Sequence, residues 1–350
     1  MQPPTRAWPI SPDRQRTPLR GLIDRIFRRS PRPPALHEER LREFVRFDEL
    51  LAAALRALSD PALSSAEVFE EFVAGLAAAR TRGGVAGWAA AVRRVRSHRL
   101  LALMHQEDLM RRAFHAPAGR ADDVVRMAGM DDPEAVARPG EALTKLGVSL
   151  RGWLIGSPLT QSLLNRTAIL AHAIDAAAAA APHGAEALAL ACGKLSEARL
   201  SRAVRAGELR RLVALDHDFN AVEATARAFG RVNALHTPTY ALLNGGSSAF
   251  GRFDLIYSAA LFERFDRRTA ELAIAALYGM LKPGGRILIA NLAPTLPETG
   301  LIEAVMNWWP IYRDRAAMAN LGAAAAPDAA IRVMLEPADN IHFLEVARPA

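Results

Sequence analysis

FDLIYSAALFERFDRRTAELAIAALYGMLKPGGRILIAN, residues 253–291, is the stretch whose reading decides the architecture. Phe253–Tyr257 is a short apolar run of the kind a fully buried parallel strand gives. Residues 267–281 then set Leu272, Ile274, Ala275, Leu277, Met280 and Leu281 at helical spacing. Lys282-Pro283-Gly284-Gly285 reads as the stop of that helix, since proline cannot continue it and glycine accepts the turn. Arg286–Asn291 reads as a second buried strand. A strand, a helix and a strand joined by so long a connection form a right-handed βαβ unit with parallel neighbours.

The text on either side repeats that unit. Upstream, Ser157-Pro158-Leu159-Thr160 opens a helix running to about Ala181, and Pro182-His183-Gly184 ends it. Ala185–Ala191 is a short buried strand, followed by Cys192-Gly193 and a helix over 195–206. Leu212–Leu215 is the next strand and ends in Asp216-His217-Asp218; a helix over 220–229 and a strand near 231–235 follow. Downstream, Ile331–Glu336 and Ile341–Val346 form a closing hairpin through Pro337-Ala338-Asp339-Asn340. The expected fold is α/β, with a mostly parallel seven-stranded sheet and a C-terminal antiparallel hairpin.

In order, these segments resemble the class I S-adenosylmethionine-dependent methyltransferases, in which F-D-L-I, a helix and L-K-P-G-G-R-I-L-I form the fourth and fifth strands. Three details sharpen the resemblance: the loop Ala191-Cys192-Gly193 with Glu197, the strand Phe253–Tyr257 with Leu261 and Phe262, and the block Glu303, Trp308, Ile311, Tyr312, Arg313 and Asp314. Together they are similar to the bacterial methyltransferases of extracellular-factor (3-hydroxypalmitic acid methyl ester) biosynthesis. Ser196 stands where that pattern has arginine, Ala260 where it has glycine, Glu263-Arg264 where it has Asp-Tyr, and Ile302 where it has methionine. The resemblance covers roughly residues 155–348 and leaves substrate identity open, because the departures cluster near the expected catalytic face.

Ligands in an open α/β sheet bind beyond the carboxyl ends of the strands, where strand order reverses. That brings together the loops after residues 191, 215, 235 and 257. The resemblance makes S-adenosylmethionine the cofactor, with Ala191, Cys192 and Gly193 in the place of a G-x-G-x-G loop. Asp216 ends the second strand, where an acid can accept hydrogen bonds from ribose hydroxyls, while Asp218 caps the following helix. Glu197 either meets the cofactor's amino group or favours its own helix N-terminus. His217, His236 and Thr237 fall where the adenosine is expected, and Ser258 near the methyl group. Tyr312 and Arg313 are the candidate catalytic pair, forming the polar end that holds a carboxylate. The plainer reading of residues 301–314 is a helix packed on the sheet with Arg313 in a salt bridge. An ionised carboxylic acid needs no general base, so the expected reaction is O-methylation of a small amphipathic acid such as a hydroxy fatty acid, its fatty acyl part lined by Trp308 and Trp309. The rival readings are a methyltransferase for another small metabolite and a non-catalytic binding module keeping the fold.

The rest of the 350 residues reads more coarsely. Apolar side chains are 51% and charged ones 23%, so a packed core is expected. The net charge of +7 is uneven: eight arginines oppose Asp13 and Asp24 in residues 1–33, leaving the body nearly neutral. This argues against a whole-surface nucleic-acid binder, and no specific nucleic acid is expected as partner. Residues 1–35 read as a basic, largely disordered arm. Within it a short amphipathic helix at 17–30 either touches an anionic membrane surface or docks on the protein's own body. Residues 36–150 read as a helical region with helices over 36–58, 65–82 and 84–115, a polar hinge at 116–140, and the sheet domain from 155. The single cysteine, Cys192, fits a reducing compartment. The basic N-terminus has no secretory apolar region, so a cytoplasmic location is expected. The histidines show no metal-ligand spacing, and no metal site is expected.

Overall fold

The computed structural model describes residues 45–59, 65–104, 145–238 and 250–350. In chain order the helices are α1 (Val45–Ser59), α2 (Ser65–Ser97), α3 (Arg99–Met104), α4 (Lys145–Gly156), α5 (Pro158–Ala180), α6 (Ser196–Leu200), α7 (Arg202–Ala206), α8 (Phe219–Ala228), α9 (Arg267–Tyr278), α10 (Thr299–Ala304) and α11 (Arg315–Ala325). The strands are β1 (Glu186–Leu190), β2 (Arg211–Asp216), β3 (Val232–His236), β4 (Phe253–Ser258), β5 (Leu281–Leu292), β6 (Ala330–Leu335) and β7 (Ile341–Ala347).

The seven strands form one sheet in the order β3-β2-β1-β4-β5-β7-β6. The first five run parallel, and β7 is antiparallel to both β5 and β6. Alternating side chains of the parallel strands separate into two cores, as the two-residue period of a strand requires. Leu188, Leu190, Val213, Ile256, Ile287 and Ile289 pack with Ile274 and Leu277 of α9. Ala187, Ala189, Leu212, Leu255, Tyr257 and Leu288 pack with Leu163, Leu170 and Ile174 of α5. Burial on both faces explains why these strands are continuous apolar runs. Strand order reverses between β1 and β4, so the switch point lies at their carboxyl ends. This is the Rossmann-like class I methyltransferase fold, with helices preceding it.

Local chemistry sets the helix starts. Ser157 accepts from the Thr160 amide at 3.2 Å with Pro158 in the first turn, Asp266 from Thr269 at 2.7 Å, and Asp314 from Ala317 at 2.7 Å. Asp218 caps α8 as its position suggested, accepting from the Asn220 amide at 3.0 Å.

Several boundaries differ from the sequence reading. Gly83-Gly84 does separate two helical runs as expected, since Gly84 has non-helical backbone (φ 55°) and α2 is two helices meeting at that kink, but the second ends at Ser97, short of the expected 115. Lys282–Gly285 is not a helix stop, because α9 has already ended at Tyr278 and β5 begins at Leu281. Those residues make an irregular crossing inside β5, with Gly284 at φ +72°. A Cβ on Gly285 would lie 2.8 Å from the Phe253 carbonyl oxygen, so close approach of a neighbouring strand demands the glycine. The helix expected over 195–206 breaks at Ser201, whose hydroxyl and the Ala203 amide bond the Asp175 carboxylate at 2.6 and 2.9 Å. The helix expected over 301–314 ends at Ala304. Pro310 cannot donate, and the Ile311 and Arg313 amides bond the carbonyls of Glu263 and Leu292 at 2.6 and 3.1 Å, laying the chain across the carboxyl ends of β4 and β5.

The N-terminal helices pack directly on this segment. Trp88 of α2 donates to Glu303 at 2.6 Å, Arg80 to the same carboxylate at 2.9 Å, and Arg96 to the Glu303 carbonyl at 2.9 Å. A Cβ on Gly300 would stand 2.8 Å from the Leu76 carbonyl carbon, so α2 and α10 touch backbone to backbone. Residues 1–35, with the expected amphipathic helix, lie outside the described residues, as do 116–140. Among the described residues no helix is long and apolar enough to cross a membrane.

Candidate functional site

The loop after β1 carries the first part of the site. Ala191, Gly193 and Leu195 all adopt left-handed backbone, at φ 49°, 54° and 55°. Glycine takes that conformation freely, whereas other residues lose about 1–2 kcal/mol each. The loop therefore follows the path of a glycine-rich turn, although two of the three positions are not glycine. Its surroundings enforce the path. The Cys192 amide donates to Leu215 at 3.0 Å, the Gly193 amide to the Asp216 carboxylate at 2.8 Å, and the Thr225 hydroxyl to the Gly193 carbonyl at 3.1 Å.

Asp216, at the end of β2, is nearly buried. Its other oxygen accepts from the Asp218 amide at 2.8 Å and lies 3.1 Å from His217 Nδ1. Burial opposes its charge, but the bonds from His217, Asp218 and Gly193 outweigh it and hold the carboxyl below the usual carboxylate range. His236 donates through Nε2 to the His217 carbonyl at 2.9 Å and meets the Phe219 ring edge-on; the Thr237 amide donates to the Asp216 carbonyl at 2.9 Å. Asp216, His217, His236 and Thr237 thus form one rim, with Phe219 half-exposed beside it. On the other side of the loop, buried Glu197 faces the Tyr257 hydroxyl, with Cys192 near it. Burial first, and then the Glu197 charge, push the Tyr257 phenol well above its ordinary range. Ser258 is buried, its hydroxyl accepting from the Leu261 amide at 3.3 Å and closing the turn after β4.

The acceptor side differs from the sequence reading. Arg313 is buried, and its guanidinium donates to the carbonyl of Phe262 and the side chain of Asn291, both at 2.7 Å, and to the Phe265 carbonyl. Those bonds fasten the 262–265 turn to β5, where the sequence reading gave Arg313 a carboxylate to hold. Tyr312 is drawn toward α2: Arg80 stands 5.1 Å above its ring, and burial followed by the Glu303 charge raises its phenol well above the ordinary range.

The residues that converge instead are Arg166, Glu263 and Arg264. Arg166 lies on the buried stripe of α5 with Leu159, Leu163 and Leu170, and donates to the Ala259 carbonyl at 3.2 Å. Glu263 follows β4 and is 1% exposed. Burial raises its carboxyl to about 7, moderated by the charges of Arg166 and Arg264, the Leu292 amide and Arg313. Arg264 lies between the charges of Glu263 and Asp216 and so links the two halves of the site. The sequence held one signal for this group: an arginine in phase with an apolar helix stripe. Glu263 and Arg264 stood out only as departures from the resembled pattern, and Tyr257 only as part of a buried strand. Among the described residues, no three His, Cys, Asp or Glu side chains are placed to hold a metal ion.

Neither a family profile nor a curated protein sequence matches the chain. Solved structures do. A possible exported protein of Bordetella parapertussis is similar over 87% of this chain and 97% of its own, with 17% identity and a TM-score of 0.55. Methyltransferases are among the others. Magnesium protoporphyrin IX methyltransferase of Synechocystis with bound S-adenosylhomocysteine covers 55% of this chain and 87% of its own, at 14% identity and a TM-score of 0.41. The N-methyltransferase NodS of Bradyrhizobium japonicum, also with S-adenosylhomocysteine, covers 66% and 98%, at 14% and 0.39. At these identities the likeness concerns the fold alone.

Proposed function

We propose that this protein is an S-adenosylmethionine-dependent methyltransferase that O-methylates a small amphipathic carboxylic acid, for which a hydroxy fatty acid is the working example. The observation that carries the reading is the loop at 191–195. It keeps a glycine turn's backbone at the switch point at the cost of two strained residues, and Asp216 locks it from β2. Strain of that kind persists where a ligand needs the shape.

The residues suit the cofactor. Asp216 retains acceptor capacity for a ribose diol beyond its three present partners, and its low pKa keeps it ionised. Ala191, Cys192 and Gly193 line the turn, with Glu197 at its end. His217, His236 and Thr237 form the adenosine rim, and Ser258 stands at the close of β4. The sulfonium, when bound, supplies an electrophilic methyl group. The chain's own work is to orient the acceptor and exclude water, which contributes about 7–11 kcal/mol in well-aligned systems. Arg166 supplies a buried cation beside the switch point, and Arg313 fastens the turn that carries Glu263. Residues 17–30 are proposed to bring the protein to a membrane surface, which flotation with anionic vesicles, with and without residues 1–33, would test.

Calorimetric titration with S-adenosylmethionine and S-adenosylhomocysteine is the test. Micromolar binding that Asp216→Ala abolishes is expected, followed by methyl transfer to acids of this class. Binding without any transfer would favour the binding-module reading, to which Ala191 and Leu195 give weight. Absence of binding would end the methyltransferase reading.

A further inference from the structure

Arg166 and Glu263 are opposite charges that have every reason to close on each other, and they do not. Arg166 is 2% exposed and Glu263 1%. Each acts electrostatically on the other, yet no nitrogen–oxygen approach within 4.0 Å joins them; Arg166 Nε has no hydrogen-bond partner, and no side chain bonds either Glu263 carboxyl oxygen, which only the backbone amide of Leu292 approaches. A buried acid kept for packing would be expected to be ion-paired or saturated with donors, because an unpartnered buried charge is costly. The groups facing Glu263 are Arg166 from α5, Arg264 from its own turn, and Arg313 and Tyr312 from the segment before α11. Arg313 is committed to backbone carbonyls and Asn291, and Arg264 also answers Asp216. Tyr312 is turned toward Glu303, which leaves Arg166 Nε as the unspent donor beside the unspent acceptor Glu263. Both lie at the carboxyl end of β4, beside the switch point.

An ionised carboxylate would satisfy Arg166 and repel an ionised Glu263. A hydroxyl satisfies both, accepting from the guanidinium and donating to the carboxylate. We infer that the methyl-accepting group is a hydroxyl held between Arg166 and Glu263, with Glu263 as the general base. The inference rests on the methyltransferase reading and deepens it: of the two oxygen groups in a hydroxy acid, the hydroxyl reacts. As the acceptor oxygen forms its bond to the methyl carbon, the carbon–sulfur bond breaks and its electron pair stays on sulfur. The O–H proton passes to Glu263, which later releases it to solvent. A carboxyl raised to about 7 by burial has the basicity such a base needs near neutral pH.

The test uses the full-length protein with labelled S-adenosylmethionine and three acceptors: 3-hydroxydodecanoic acid, dodecanoic acid and 3-hydroxydodecanamide. Transfer is expected to the two hydroxyl compounds and not to dodecanoic acid. The product should be an alkali-stable ether, where an ester would release methanol. Glu263→Gln should lower turnover by about 100-fold or more while S-adenosylhomocysteine binds as in the wild type, and Glu263→Asp should retain part of the rate. Independently of activity, an infrared titration should show a protonated carboxyl band that disappears between about pH 6 and 8 and is missing in Glu263→Gln. An alkali-labile product, no transfer to either hydroxyl acceptor by protein that binds the cofactor, an unchanged rate in Glu263→Gln, or no such band would overturn the inference alone. Failure to bind S-adenosylmethionine would overturn the methyltransferase reading with it.

Discussion

Replacing Glu263 by glutamine should make the protein more stable at pH 8 and change it little at pH 5. The carboxyl rises from an ordinary 4.5 to about 7 on folding, chiefly through burial. Between those values the native protein holds a proton that the unfolded chain has released, so stability falls as pH rises through the window and then levels off. Two and a half pKa units correspond to roughly 3 kcal/mol at pH 8, and under about 1 kcal/mol at pH 5, which is only about half a unit above the unfolded pKa. Glutamine has the same shape and no charge to bury, so it escapes that cost. Equilibrium urea unfolding of both proteins at the two pH values would measure it, with a midpoint gain of about 1 M at pH 8 if the slope is near 3 kcal/mol/M. Equal or lower stability of the glutamine variant at pH 8 would refute the reasoning. It would mean that Arg166, Arg264 and Arg313 stabilise an ionised Glu263 by more than burial destabilises it. A gain would instead mark Glu263 as a residue kept at the expense of stability, which is common at active sites.

Gly300→Ala should destabilise by about 1–3 kcal/mol despite alanine's better helix propensity, because its Cβ would meet Leu76 backbone and side chain at 2.8 and 2.9 Å; thermal unfolding would detect this, and an unchanged midpoint would contradict the tight α2–α10 contact. Ala191→Gly should be neutral or stabilising by up to about 1 kcal/mol, since relief of left-handed strain opposes the greater unfolded-state entropy of glycine. Denaturation should be paired there with S-adenosylhomocysteine binding, which ought to be retained. Asp216 has a depressed pKa, so its stabilisation is present above the unfolded value of about 3.9 and is lost as pH falls through the folded one. Asp216→Asn should therefore be less stable at pH 7 and lose less on acidification, as far-ultraviolet circular dichroism across the acid range would show.

The order of the sheet was legible because its cause is local and repeated. Strands buried on both faces, as at Phe253–Tyr257 and Arg286–Asn291, must be apolar throughout, and the amphipathic segment over 267–281 between them has one packing solution. Asp218 as a cap and Asp216 at a strand end could be read for the same reason, since each bonds backbone within two residues of itself. The end of the helix at Ala304 was not legible, because what decides it is the Ile311 and Arg313 amides meeting carbonyls of Glu263 and Leu292, distant in the chain.

The sequence by itself determined the α/β alternation, the seven strands and the place of the loop at 191–195, because burial period and turn chemistry are written in neighbouring residues. Only the tertiary structure decided that this loop keeps a glycine path without its glycines, since strand β2 and helix α8 impose it through Asp216 and Thr225. Only the tertiary structure shows that Arg313 is committed to backbone carbonyls and Asn291, while Arg166 is buried with its Nε unpaired. Charge and hydrogen-bonding capacity belong to a residue, but whether they are already spent depends on what the fold brings beside it.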